Sequence, residues 1–263
     1  MQVAEHTFMV KRRRIIRKLG YISDQKGIIK RYLREANGWA LHLQNSKEAI
    51  LRTMDILKPK SMALLGSGWL LDVPVDEIIN QGITLYCLDI SHPEQIKHNY
   101  RNEESSKFIE VDLNGSLSEK IYHYYKIGKK QIVSSDLDPD CRLDLTGYEM
   151  VVSLNILNQL DILLLDFVKE HQLMNEEELK KLRMKIQEHH LKMLPCEKSC
   201  IIFDYCERIF SDEDEQEQVN STVFVSLPHM KNVQEWQWQF DSLGYYYNGK
   251  RVVFDVKAGI ITS

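Results

Sequence analysis

The sequence predicts an α/β fold: helices first, then a mostly parallel sheet, then an antiparallel pair of strands. Short apolar runs at Ser61–Leu65, Ile83–Leu88, Lys107–Val111, Met150–Leu154 and Ser199–Phe203 recur with helical or turn-rich stretches between them. Strands that alternate with helices join by right-handed crossovers into a parallel sheet. The first run stops at Gly66-Ser67-Gly68, two glycines that let backbone approach a ligand closely. Near the end, Asn248-Gly249 tolerates positive φ twice and predicts a β-hairpin between Tyr245-Tyr246-Tyr247 and Lys250 to Val256.

Residues 1–57 read as a helical cap or arm, and 58–263 as the α/β domain. Phe8, Ile15, Ile16 and Leu19 share a helical face beside Arg12, Arg13, Arg17 and Lys18, and Gly20 ends that segment. Ser23 caps a second segment, striped by Ile28, Ile29, Tyr32 and Leu33 and closed by Asn37-Gly38. A third starts at Asn45, with Glu48 as its capping-box partner, and carries Ile50, Leu51, Met54 and Leu57. Trp39 and His42 then fall in the link, placed to line a mouth at the sheet's carboxyl edge. Residues 1–60 hold 14 Lys and Arg against 5 Asp and Glu, a balance of +9, which leaves −13 for the rest of a chain with net charge −4. The arm is a basic face on a packed cap, or a contact for RNA; no stacking aromatics are interleaved with its charges.

After the glycine turn, Asp72 reads as a helix cap, Pro74 as a first-turn residue, and Asp76 and Glu77 as acids favoured by the helix dipole. The second strand ends on Asp89, 21 positions past Gly68, where a carboxylate accepts hydrogen bonds from ribose hydroxyls. The position of the dinucleotide fingerprint's third glycine is Leu71, and an acidic helix start suits a cationic ligand better than two phosphates. This favours S-adenosylmethionine, with its positive sulfonium, over NAD.

At these residues the chain resembles the class I S-adenosylmethionine-dependent methyltransferases, most of all a bacterial subgroup of unassigned substrate. The matching features are Leu65-Gly66-Ser67-Gly68 with Asp72-Val73-Pro74, then Asp89, then Val111-Asp112-Leu113-Asn114-Gly115, then Val151-Val152-Ser153-Leu154-Asn155 leading to Gln159-Leu160. They span roughly residues 60–206 in the expected order. The third glycine of the first motif is missing, and no Asn/Asp-Pro-Pro-aromatic motif follows the fourth strand. The resemblance implies a Rossmann-like methyltransferase fold, with a mostly parallel seven-stranded sheet, an antiparallel C-terminal hairpin and the N-terminal helical cap. It implies S-adenosylmethionine as cofactor, held by Gly66, Ser67, Gly68, Asp89, Ile90, Asp112, Leu113 and Asn155.

Further along, Ser134 to Asp140 is a turn-rich excursion whose acids lack the glycine of a calcium loop. A helix is expected from about Ile156, and another from Asn175 with Leu179, Leu182, Ile186, His190 and Met193 on one side. The fifth strand closes at Asp204; Ser211–Glu217 is an exposed acidic loop; Thr222–Val225 and the alternating Trp236, Trp238 and Phe240 read as strands.

Methyl transfer needs alignment of acceptor and methyl and, at times, removal of one proton. Asn155 at the fourth strand's tip orients a ligand or caps the next helix; Asp204, Tyr205 and Glu207 supply a base or serve as plain loop residues. His189 and His190 read as packed histidines. The five cysteines include no Cys-x-x-Cys, so no metal site is expected and they read as reduced thiols of a cytoplasmic protein. Lys11–Arg14 is not followed by the apolar stretch of a signal peptide, and no run approaches the ~18 apolar residues of a membrane span. A methyltransferase of a small molecule, slightly ahead of RNA because the acidic body repels phosphates, is the expectation. An NAD-dependent oxidoreductase and a non-catalytic S-adenosylmethionine-binding protein are the alternatives.

Overall fold

A computed structural model describes residues 12–140, 143–211 and 217–263; Phe8, Lys11, Cys141 and the run at 212–216 lie outside these. The sheet contains β1 (Ser61–Leu65), β2 (Thr84–Asp89), β3 (Ser106–Glu110), β4 (Met150–Leu154), β5 (Ser199–Phe210), β6 (Glu217–Ser221), β7 (Met230–Asp241) and β8 (Arg251–Ile261). Their order is β3-β2-β1-β4-β5-β8-β7, with β6 paired to β5. Strands β1 to β5 run parallel, while β8 is antiparallel to both β5 and β7. The central strands bury both faces, which is why they read as unbroken apolar runs. Met62, Leu64, Val152 and Ile202 point into one core; Ala63, Leu65, Val151 and Ile201 point into the other.

The described residues form eight strands where seven were expected. β5 runs twelve residues rather than five, so its second half, Cys206–Phe210, projects past the end of β4. An unpaired edge of that length needs a partner, and β6 provides one through Cys206↔Ser221 to Phe210↔Glu217. The strand expected at Thr222–Val225 is therefore displaced to Glu217–Ser221.

Helices cover both faces. Residues 12–18 are helical and stop at Gly20. Next comes α1 (Tyr21–Leu57), 37 residues with one non-helical residue at Glu35. The two helices expected over this span are thus nearly one. Trp39, His42, Ser46, Ala49, Ile50, Thr53 and Met54 form an unbroken buried stripe at helical spacing. Gly38 does not end a helix: a Cβ there would sit 2.9 Å from the Gln239 carbonyl oxygen, so the glycine lets α1 lie directly on β7. The shorter helices are α2 (Val75–Asn80), α3 (Glu94–Asn99), α4 (Leu117–Lys126) and α5 (Ile162–Glu170), followed by α6 (Glu176–Met193). The Asn175 side chain caps α6 by accepting from the Glu178 amide at 2.9 Å. α5 starts at Ile162 rather than near Ile156, since Asn155 turns the chain at φ 51° and Ile156 and Leu157 are buried in a turn.

The C-terminal hairpin forms, but with a different first strand. Asn248 and Gly249 take positive φ, and Lys250 N donates to Tyr247 O at 2.9 Å, as the dipeptide predicts. That turn closes only a single bridge, Tyr247↔Lys250. β8 pairs with β7 instead, and the tyrosines belong to the connection. The buried Asp241 carboxylate accepts from the Tyr246 amide and draws this segment out of line with β7.

Two outcomes follow. A Cβ on Gly66 would lie 2.1 Å from Ile156 Cγ2, at φ +78°, whereas at Gly68 (φ +45°) the nearest atom is 4.0 Å away. Gly68→Ala should cost about 1 kcal/mol for its left-handed backbone, and Gly66→Ala about 3 kcal/mol once the clash is added. Equal urea midpoints for the two variants would contradict this. On α6, His190 is fully buried with Nε2 2.8 Å from Ser153 Oγ, and burial lowers its pKa to about 3. The unfolded chain binds a proton below pH 6.5 that the folded His190 refuses, so its contribution to stability is lost as pH falls from 6.5 towards 3. His42, lowered to about 3, adds to this, while Asp204 and Asp72, raised to about 7 and about 6, act in the opposite sense. His190→Gln isolates the one imidazole: its stability relative to wild type should improve by about 2 kcal/mol between pH 7.5 and 5. An unchanged difference would show that the folded imidazole takes the proton.

Candidate functional site

The strand order reverses between β1 and β4, so the loops that leave them diverge and open a crevice at the sheet's carboxyl edge. One side is built by the glycine turn. Gly66 N donates to Leu88 O at 2.9 Å, and Gly68 N donates to Asp89 Oδ2 at 2.9 Å. Ile90 N donates to the other carboxylate oxygen at 2.7 Å. Desolvation pushes the half-buried Asp89 carboxyl up, while the Gly68 amide and the nearby His92 pull it down. Each carboxylate oxygen keeps a lone pair for a ligand. Ser67 is buried, its hydroxyl 3.3 Å from His92 Nδ1, and His92 Nε2 lies 3.1 Å from the Ile109 carbonyl. A carbonyl only accepts, so Nε2 carries the proton and Nδ1 accepts from Ser67.

At Ile90, the residue after Asp89, lies a cavity of about 450 Å³ lined by Ile90, Val111 and Asp112 and by Arg12, Ile15 and Ile16 of the N-terminal helix. Asp112 accepts from the Asn114 and Ser118 amides at 3.0 and 3.3 Å and so ties down the start of α4. Leu113 packs into the core with Leu65 and Leu88. The structure therefore brings Gly66, Ser67, Gly68, Asp89 and Ile90 together at the ends of β1 and β2, and places Ile90 and Asp112 on one cavity, with Leu113 in the core. The arm crosses this edge: Tyr21 Oη is 3.4 Å from Ser118 Oγ, and Gln25 Nε2 donates to Ser91 O at 2.6 Å. Burial, then the charges of Asp112 and Asp89, push the Tyr21 phenol well above its usual range. Tyr21 and Gln25 carry no sequence signal; only the path of α1 sets them here.

At the other end of the crevice, Asn155 Nδ2 donates to Asp72 Oδ2 at 2.8 Å, and its Oδ1 is buried with no partner. Asp72 does not cap α2, whose cap position is Pro74. Desolvation pushes its carboxyl up to about 6, against the Asn155 hydrogen bond and Lys47. His42 approaches the same amide, with Nε2 3.3 Å from Asn155 Nδ2. Its Nδ1 accepts from Trp236 Nε1 at 3.1 Å, and its ring stacks on Trp238 at 4.0 Å. Trp39 lies in the core rather than at a mouth, with Nε1 donating to Phe240 O at 2.9 Å and its ring edge-on to Trp238 at 4.9 Å.

Asp204, Tyr205 and Glu207 are inside β5 and not beyond it. A bulge between Asp204 and Cys206 inserts Tyr205 as an extra residue. Asp204 pairs with Val256 and Glu207 with Phe254, two positions on one face of β8, so both carboxylates face the α1 side. Tyr205 packs into the opposite core. Asn158 Nδ2 donates to Asp204 Oδ2, and the Tyr247 hydroxyl donates to Glu207 Oε1 at 3.0 Å. Sequence reasoning missed Asn158, though its spacing from Asn155 was visible; the bulge left no signal. Among the described residues no His, Cys, Asp or Glu group suits a metal ion, and no helix is long and apolar enough to cross a membrane.

No protein-family model matches this sequence, and no curated protein matches it. Among solved structures, similarity is found to human N-acetylserotonin methyltransferase in complex with S-adenosylmethionine (12% identity, TM-score 0.33), covering 93% of this chain and 56% of that one. An O-methyltransferase family protein from Burkholderia thailandensis shares 8% identity at TM-score 0.32, over 81% of this chain and 56% of that one. A 1,6-didemethyltoxoflavin-N1-methyltransferase from the same organism, with S-adenosylhomocysteine, shares 12% identity at TM-score 0.32, over 90% and 87%. The chain thus spans just over half the length of the first two. Likeness at this distance fixes neither reaction nor substrate.

Proposed function

We propose that this chain is an S-adenosylmethionine-dependent methyltransferase acting on a small molecule. One observation supports it above the rest. The crevice at the strand-order reversal presents Asp72, Asp89 and Asp112, each half-buried with its carboxyl pushed up by desolvation and none in an ion pair with Lys or Arg among the described residues. Carboxylates in that state favour a cation and repel phosphate. A dinucleotide would also lack its usual seat, because the glycine turn does not run into a helix. Residues 69–74 intervene, and the first turn of the six-residue α2 carries Asp76 and Glu77.

The residues fit the parts of a sulfonium nucleoside. Asp89 would accept from ribose hydroxyls, the cavity between Ile90 and Ile15 would take the adenine, and Asp112 would face its edge. Asp72 and the unpartnered Asn155 Oδ1 would accept from the amino-acid ammonium group. When bound, the cofactor supplies a methyl group activated by positive sulfur. The chain's own part is to hold that group in line with an acceptor and to shield both from water. The exposed Arg13, Arg14, Arg17 and Lys18 of the arm are a basic stripe without stacking aromatics, so RNA has only charge to recommend it.

Calorimetry with the full chain provides the test. S-adenosylhomocysteine should bind at one site, NAD and NADH should not, and Asp89→Ala should weaken the binding by about 2 kcal/mol, about thirtyfold. NAD binding in place of the homocysteine compound would overturn the assignment. Unchanged affinity in the variant would remove Asp89 from the site.

A further inference from the structure

The methyltransferase reading leaves the acceptor open, and the far side of the crevice bears on it. Asp204 is 2% exposed and Glu207 8% exposed, and the bulge at Tyr205 turns both to one face. Their hydrogen-bond partners are neutral: Asn158 for Asp204, and Asn220 Nδ2 and the Tyr247 hydroxyl for Glu207. Neither carboxylate is in an ion pair among the described residues. Two like charges this deep, without a cation, disfavour each other and the fold that holds them. A second observation is independent of the acids. Asn158 is 8% exposed, and with Nδ2 committed to Asp204 its Oδ1 is buried with no partner at all. An acceptor atom buried beside carboxylates calls for a donor that the chain does not supply.

We propose that Asp204, Glu207 and Asn158 receive the amino group of the methyl acceptor, which makes the substrate an amine. The proposal rests on the methyltransferase reading for its chemistry, though not for its binding site. An ammonium ion satisfies every open valence here: its positive charge sits between the two carboxylates, and one N–H points to Asn158 Oδ1. Before an amine can act as a nucleophile it must lose a proton. The ammonium N–H bond breaks with its electron pair left on nitrogen, and the proton forms an O–H bond on Asp204, which returns it to water when the product leaves. Burial pushes the Asp204 carboxyl up to about 7, which suits it to take and release that proton near neutrality.

The rim fits an organic amine. Tyr246 and Tyr247 are exposed, their rings 4.6 Å apart and tilted by 67°. The platform already takes a cation on its α1 side, where the Arg31 guanidinium lies 4.6 Å from the Phe240 ring centroid and 5.1 Å from that of Tyr246. This loop is held in place by Glu35 of α1, which accepts from the Ser242 amide and hydroxyl at 3.1 and 2.7 Å.

The test uses the full chain saturated with S-adenosylhomocysteine and measures thermal shift and calorimetric affinity. The probes are phenethylamine, tyramine and hexylamine, each beside its matched alcohol and carboxylate. At least one amine should bind, and none of the matched compounds should bind as well. Asp204→Asn and, separately, Glu207→Gln should each weaken the amine at least tenfold while leaving S-adenosylhomocysteine affinity within twofold, which also shows that the variants fold. Amine affinity unchanged in both variants, equal binding of an alcohol or carboxylate, or no amine binding while S-adenosylhomocysteine binds would each overturn the proposal. Amine binding that the variants abolish, in a protein that does not bind S-adenosylhomocysteine, would remove the cofactor and leave the amine site standing.

Discussion

Carboxylates drawn half or wholly out of water, with no Lys or Arg in ion-pair contact among the described residues, are the constraint on which the rest of this structure turns. Along the carboxyl edge of the sheet, Asp72, Asp89, Asp112 and Asp204 all have their carboxyls pushed up by desolvation, and each is tied only to amides or hydroxyls. Lys and Arg are abundant, but they pair with acids elsewhere, as Arg183 does with Asp161 and Arg208 with Asp255. Native folds are stable by a narrow margin, so such groups are kept at a cost. A ligand that carries positive charge recovers it.

Two backbone devices bring those acids together. The first is the reversal of strand order between β1 and β4, which parts the loops and leaves Gly66 to fit under Ile156 without a Cβ. The second is the bulge at Tyr205, without which Asp204 and Glu207 would face opposite sides of β5. Above both lies α1. Its close approach to β7 at Gly38 sets the height at which Gln25, His42 and Glu35 reach the edge. The site thus depends on packing far from it.

Much of the sheet was legible because buried parallel strands need unbroken apolar runs. Ser61–Leu65 and Met150–Leu154 fall where the pattern puts them. The glycine turn and Asp89 were legible because positive φ and a strand-tip carboxylate leave residue types behind. What the sequence hid is of another kind. Asn37-Gly38 reads as a helix stop, and only the Gln239 backbone pressed against that position shows that the glycine serves packing. The length of β5 was hidden because its outer half, Tyr205-Cys206-Glu207-Arg208-Ile209-Phe210, lacks the period of two of a half-buried strand and sets a charged pair between apolar ones, which resembles a loop until β6 and β8 pair with it. Asp72 looks like a cap because Asp before Pro usually is one; its true partner, Asn155, is 83 residues away.

A crystal structure of the full chain grown with S-adenosylhomocysteine tests the central claim most directly. Adenosine should lie in the crevice with its ribose on Asp89 and its base beside Ile90, and the amino-acid ammonium group should rest between Asp72 and Asn155 Oδ1. A ligand bound elsewhere on the molecule, or those four residues untouched at saturating concentration, would contradict the account.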